Sequence, residues 1–275
     1  MRIDTLLEKG SGAVNEDAVL IDYARKRFGV FDGATSVVPY VDQNGKTGGY
    51  LAAFIAKTTF QHVSGTLANC ADAANDTIAA KMQQAGIDMT DKANRWNTTI
   101  AVVEISADGK TFDWINISDS LILVLYHDGT ERMIIGDGYD QDREFFITWR
   151  NAVLSDNPRK ADLWRDAALA HRRNTNVTYG ALNGEEAAMQ FLRTGRESLE
   201  RVAHILLFTD GLMLPTEDRA LPDNFVIMAQ LFREGGLPRI REYIRFFEES
   251  DPKCTRFVRT KPSDDIAAIA LSFSL

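Results

Sequence analysis

The chain has 275 residues, 45% of them hydrophobic and 25% charged, which is enough for one large globular domain with a sizeable core. Its formal net charge is −8 and its pI about 5.1, an acidic balance that argues against nucleic acid or an anionic membrane as a partner of the whole surface. Cys70 and Cys254 stand far apart in no metal-ligand spacing, residues 1–10 lack the apolar stretch of a leader peptide, and apolar runs such as 205–208 are too short for a bilayer, so a reduced, cytoplasmic protein is expected.

Apolar runs at 18–22 and 28–31 flank a charged stretch at 23–27 and read as an antiparallel hairpin. Helices are expected over 48–63, with Leu51, Ile55 and Thr58/Thr59 on one face, and over 67–84, stopped at Gly86. The period then shortens to that of strands, at 99–105, 111–118, 121–127 and 131–135. Asp108-Gly109 and Asp128-Gly129 punctuate them, and Asp-Gly between apolar runs signals a hairpin turn. Residues 137–176 are charged and poorly periodic, carry Trp149 and Trp164, and read as an inserted flap of mixed helix and loop. Strands resume at 188–192 and 204–209, helices follow at 223–233 and 238–249 around Gly235-Gly236, and a strand at 266–273 comes last. Paired helices and antiparallel sets of strands predict an α+β class, with two stacked antiparallel sheets covered by helices in a single domain, 1–275.

Several carboxylates sit where an apolar strand stops or starts. Asp32-Gly33 ends one run and Asp210-Gly211 another, while Glu16-Asp17 and Asp264-Asp265 each begin one. In an antiparallel sheet, the C-terminal end of one strand and the N-terminal end of its neighbour share an edge. If 18–22 pairs with 28–32, Asp17 falls opposite Asp32, and if 204–209 pairs with 266–271, Asp210 approaches Asp264. Carboxylates so clustered raise each other's pKa unless a cation lies between them. Hard oxygen ligands without His or Cys select Mg²⁺ or Mn²⁺ over zinc. Two such ions about 3.5–4 Å apart activate a water and clamp a phosphoryl oxygen. Asp-Gly after a strand is more often only a turn, but the plain turns here lead straight into another strand, whereas Asp32 and Asp210 lead into loops or helices.

Six motifs then run in order along nearly the whole chain: Asn15-Glu16-Asp17-Ala18, Gly29-Val30-Phe31-Asp32-Gly33, Asn97-Thr98-Thr99-Ile100-Ala101-Val102, Ile117-Ser118-Asp119-Ser120, Leu207-Phe208-Thr209-Asp210-Gly211 and Ser263-Asp264-Asp265-Ile266. In these the chain resembles the protein phosphatase type 2C family of metal-dependent serine/threonine phosphatases, in its bacterial-type form. The resemblance implies an α-β-β-α sandwich with two Mn²⁺ or Mg²⁺ ions at one end. It implies Asp32 bridging both ions, the Gly33 carbonyl on one, and Asp210 and Asp264 completing the other. Glu16 and Asp17 then hold metal-bound water from behind, and Asp119 serves a weak third ion. Catalysis falls to Asp17, Asp32 and Asp210, with metal-bound hydroxide as the nucleophile. The implied partners are a phosphoprotein substrate and a cognate serine/threonine kinase, in signalling.

The departures from the family are specific. Ala34 stands where some members place a candidate acid histidine. Gly12 stands where many carry an arginine that grips the phosphate, and Leu214 stands where many have a further acid. The basic run at His171, Arg172 and Arg173, inside the flap, offers Arg172 or Arg173 as the replacement grip, against the plainer reading of a solvated helix end. The histidines pair with no Ser or Cys in a nucleophile motif. Protein phosphoserine/phosphothreonine hydrolysis leads, and two alternatives stay open: a hydrolase of small phosphate esters, and a pseudophosphatase that binds a phosphoprotein without turnover.

Overall fold

The computed structural model describes residues 1–136, 143–154, 160–218 and 223–274. Among the described residues, ten strands form two five-stranded antiparallel sheets. The first contains β1 (Arg2–Glu8), β10 (Ile266–Ser272), β9 (Val202–Phe208), β6 (Leu121–Tyr126) and β7 (Glu131–Met133), in that order across the sheet. The second contains β2 (Ala18–Asp22), β3 (Arg27–Ala34), β4 (Asn97–Ile105), β5 (Thr111–Ile117) and β8 (Arg193–Ser198). Period-two alternation divides the second sheet's side chains. Phe28, Val30, Ala101 and Val103 face the first sheet, meeting Leu121–Leu125, Ile205–Phe208 and Ile266–Leu271, while Leu20, Phe31, Ile100 and Val102 face helices.

Those helices are α1 (Gly48–His62) and α2 (Leu67–Gln84). Ala52, Ala53 and Ala56 let α1 lie close on the sheet, and Phe60 meets Phe31 edge to face. The side chain of Thr47 caps α1 by accepting from the Tyr50 N–H, and Thr66 with Asn69 caps α2 reciprocally. On the outer side of the first sheet lies α5 (Phe225–Ser250), which buries Met228, Ile240 and Ile244. Its path breaks at Gly235-Gly236, where φ at Gly236 is +70°, and Pro238 opens the second half, so the two helices expected on either side of the glycines are present and meet at a kink. The four layers are therefore helices, sheet, sheet and bent helix, which is the expected α+β sandwich.

The hairpins expected at Asp108-Gly109 and Asp128-Gly129 join β4 to β5 and β6 to β7. One local expectation needs correction and one strand was not foreseen. The run at 188–192 lies in a 3₁₀ turn, Glu186–Phe191, and the strand follows it as β8. Strand β1 has no counterpart among the expected elements. Both β1 and β8 are sheet edges with polar, partly exposed residues, so neither shows the apolar alternation by which a strand is read. The flap expected over 137–176 is described in part. Residues 137–142 and 155–159 lie outside the described residues, and the rest forms α3 (Arg143–Leu154), α4 (Lys160–Arg173) and a turn.

Candidate metal centre

Strand register brings the carboxylates together. Ala18 pairs with Phe31, so Asp17, one residue before β2, falls at the level of Asp32 on β3. Asp32 itself pairs across to Thr99 on β4. In the other sheet Ala268 pairs with Phe208, and Asp210 and Asp264 follow and precede those strands at the same edge. Asp119 reaches this end from the crossover between β5 and β6. There Ser118 adopts a left-handed φ of +69°, and the Asn116 side-chain amide donates to the carbonyls of Ser118 and Ser120. Asp32, Gly33, Asp119, Asp210 and Asp264 all line one cavity of about 380 Å³.

Behind this floor the acids are held by hydroxyls and amides. The Thr209 Oγ1 donates to Asp17 Oδ2 at 2.7 Å and accepts from the Ala267 N–H at 2.9 Å. Glu16 accepts from Thr35 Oγ1 at 2.6 Å and from the hydroxyl of Thr47, the cap of α1. Asp265 accepts from the backbone N–H groups of Gly10 and Glu16, each at 2.7 Å, and so fastens the last motif to the first. Gly33 has to be glycine for reasons of space, because a β-carbon there would meet the backbone of Glu16 and Gly49.

The electrostatics record the crowding. Burial, and then Asp17, Asp210, Asp119 and Asp264, push the Asp32 carboxyl well above the usual carboxylate range. Burial likewise raises Asp17, against the Thr209 hydrogen bond, and Asp264, Asp210 and Asp265 add to the rise. Asp264 is pushed up to about 6 by burial and Asp210, with Lys261 opposing. Lys261 lies at 2.6 Å from Asp264 Oδ1, and although burial works against its charge, Asp264, Asp210 and Asp32 hold the ammonium in its protonated form.

Oxygen donors only, and mutual repulsion that a cation relieves, make this a fit for hard divalent ions. Among the described residues no three His, Cys, Asp or Glu side chains stand close enough to grip one ion together. A cation here would take few carboxylates and complete its shell with water, which is the usual habit of Mg²⁺.

The expected phosphate grips separate. Arg172 lines the cavity, and its Nη2 donates to the Thr35 carbonyl at 3.0 Å. Arg173 does not line the cavity and is paired instead with Asp91, which it meets through Nε at 3.1 Å and Nη2 at 2.7 Å. Phe145, Phe146 and Trp164 line the cavity from α3 and α4, and His171 stacks on Tyr179 with ring centroids 4.5 Å apart. Lys261 and Asn116 were missed in the sequence. A lysine three residues before Asp264 was the only available signal for the first, and the second carried none beyond an amide in an apolar strand.

No protein-family model and no curated protein sequence matches the chain. Solved structures do. The chain is 18% identical to the catalytic domain of the serine/threonine protein phosphatase PstP in complex with two manganese ions, covering 98% of this chain and 96% of that one with a TM-score of 0.57. It is 17% identical to the serine/threonine phosphatase PstP/Ppp of Mycobacterium tuberculosis (100% and 99% covered, TM-score 0.59). It is 15% identical to the serine/threonine phosphatase Stp1 of Staphylococcus aureus (99% and 94%, TM-score 0.59). From end to end, this chain has the fold of the bacterial serine/threonine phosphatases that its motifs resemble.

Proposed function

We propose that the chain is a metal-dependent phosphatase that hydrolyses phosphate monoesters, with phosphoserine and phosphothreonine of proteins as its substrates. The observation that carries this is the meeting of Asp32, Gly33, Asp119, Asp210 and Asp264, from separate segments of both sheets, on one cavity in this fold. In this reading Asp32, the Gly33 carbonyl, Asp210 and Asp264 hold two Mn²⁺ or Mg²⁺ ions, and Asp119 holds a weaker third. When bound, the ions supply a Lewis acid for the phosphoryl oxygens and an acidic water for attack at phosphorus.

The protein's own groups prepare that chemistry. Asp17, fixed by Thr209, and Glu16, fixed by Thr35 and Thr47, stand behind the floor, from where they would hold water near the ions. Arg172, beside Thr35 at the cavity wall, offers its remaining N–H groups to a phosphate. Helices α3 and α4, read as an insertion in a single domain, cover the cavity and select the leaving group.

This reading supplies a serine/threonine kinase as the opposing partner and a cytoplasmic location, in keeping with the free thiols of Cys70 and Cys254. No described helix is long and apolar enough to cross a membrane. The apolar cover from Phe145, Phe146 and Trp164 favours a compact phosphate ester as the second reading. A clustered set of carboxylates destabilises a mere scaffold, which disfavours the pseudophosphatase.

Hydrolysis of p-nitrophenyl phosphate and of a phosphothreonine peptide, with Mn²⁺ and then with EDTA, tests all three. The proposal expects both substrates cleaved, the peptide with higher kcat/KM, and both lost with EDTA. Cleavage of the aryl ester alone selects the second reading. No cleavage of either by protein shown to bind Mn²⁺ selects the pseudophosphatase.

A further inference from the structure

Lys261 brings a positive charge into the cavity from a position two residues before the Ser263-Asp264-Asp265-Ile266 motif. It lines the cavity with Asp32, Asp210, Asp264 and Arg172. Its Nζ is 2.6 Å from Asp264 Oδ1, and an ammonium has three donors, so this contact leaves donors for a ligand. Its loop is pinned in place. Arg259 donates through Nε to the Pro262 carbonyl at 3.0 Å, through Nη1 to Asp251 Oδ2 at 3.1 Å, and through Nη2 to the carbonyls of Glu248 and Asp251 at 2.9 and 2.6 Å. The bracing fixes the backbone from which the Lys261 side chain reaches Asp264.

The same loop is bonded to the segment that lacks a cation. The Ser11 N–H and Oγ both donate to the Ser263 carbonyl, at 3.0 and 2.9 Å. Gly12, which has no side chain to offer a phosphate, therefore lies one residue from a bond to the lysine's own loop. Arg172 stands on another wall with one N–H already given to Thr35.

We infer that Lys261 binds the substrate phosphate, supplying from the neighbouring loop the charge that position 12 cannot. A phosphate dianion entering beside the four carboxyl groups that line the cavity keeps oxygens that need donors, and a compact ammonium suits them as a point charge. The competing account is that Lys261 serves only to neutralise Asp264. The inference rests on the phosphatase reading above.

Calorimetric titration separates the two accounts. Mn²⁺, and then inorganic phosphate in the presence of Mn²⁺, are titrated into the parent protein and into Lys261→Met, Lys261→Gln and Lys261→Arg. The expected result is phosphate binding weakened at least about tenfold in the Met and Gln variants and largely regained in the Arg variant, with Mn²⁺ affinity held or improved. Should Lys261→Met not fold, Lys261→Gln carries the same comparison. Phosphate affinity within about twofold of the parent overturns the inference, as does a loss of Mn²⁺ binding that accounts for the loss of phosphate. A parent protein that binds no Mn²⁺ overturns the phosphatase reading itself, and the lysine's role with it.

Discussion

The floor of the cavity and its cover hold their side chains in different ways. On the floor, Asp32 belongs to a strand paired on both sides, Asp17 is held by the buried hydroxyl of Thr209 and Glu16 by the hydroxyls of Thr35 and Thr47, and Asp265 ties two distant segments through backbone N–H groups. The cover is two helices with exposed apolar residues, Ile147, Leu154 and Leu163, joined to the rest through contacts such as the Arg172 bond to the Thr35 carbonyl and the stack of His171 on Tyr179. A group held by ladder hydrogen bonds and buried hydroxyls cannot shift without breaking several bonds. A group on a surface helix shifts at the cost of one or two. Chemistry that depends on ångström placement belongs on the floor, and choice of substrate belongs on the cover.

The largest expected effect strikes the floor. Asp32→Asn should lower kcat/KM on p-nitrophenyl phosphate by about a thousandfold, about 4 kcal/mol of transition-state stabilisation, with the melting temperature in EDTA held or raised. Steady-state kinetics at saturating Mn²⁺ checks this. Turnover close to the parent's would remove Asp32 from the proposed centre and erase the contrast with the cover.

A second effect follows from the crowded acids. Asp264 is raised to about 6, above its value in an unfolded chain, and Asp17 and Asp32 are also raised. Between the unfolded and folded values the native state binds more protons, so its stability falls as pH rises through that window. Melting in EDTA should therefore be several degrees higher at pH 5 than at pH 7, and saturating Mn²⁺ should reduce the difference by neutralising the same carboxylates. A melting temperature that rises with pH in EDTA contradicts the crowding.

The cover gives a smaller and more selective response. Trp164→Ala should alter kcat/KM for a phosphothreonine peptide about fivefold while leaving p-nitrophenyl phosphate within about twofold. Equal losses on both would make the cover part of the catalytic apparatus. The smallest effect belongs to Arg173, whose guanidinium is given to Asp91 at the surface. Arg173→Ala should leave kcat/KM on either substrate within about twofold, because an exposed pair of this kind contributes little. A large loss would restore its candidacy as a phosphate grip.

What could be read in advance follows the same division. The carboxylates of the floor were legible because antiparallel pairing turns local sequence into shared location: the end of 28–32 and the start of 18–22 share an edge once the two pair. The partners that decide the details lie far along the chain. Arg173 pairs with Asp91, 82 residues away, and nothing local to Asn116 says that its amide shapes the loop carrying Asp119.

The α+β class, the hairpins at the Asp-Gly turns, the helix pair at 48–84 and the two pairs of acids at strand ends were set by the amino-acid order alone, since each follows from residue period, turn chemistry and strand direction, while the meeting of the two pairs depends on how the sheets stack. That β1 and β8 are strands follows from their pairing with β10 and β5, because their polar, partly exposed residues carry no apolar alternation to read. The tertiary structure likewise decided that Lys261 enters the cavity and Arg173 does not. Electrostatic partnership depends on distance through space, and the bonds that bring the segment of Gly12 against the loop of Lys261 join residues some 250 positions apart.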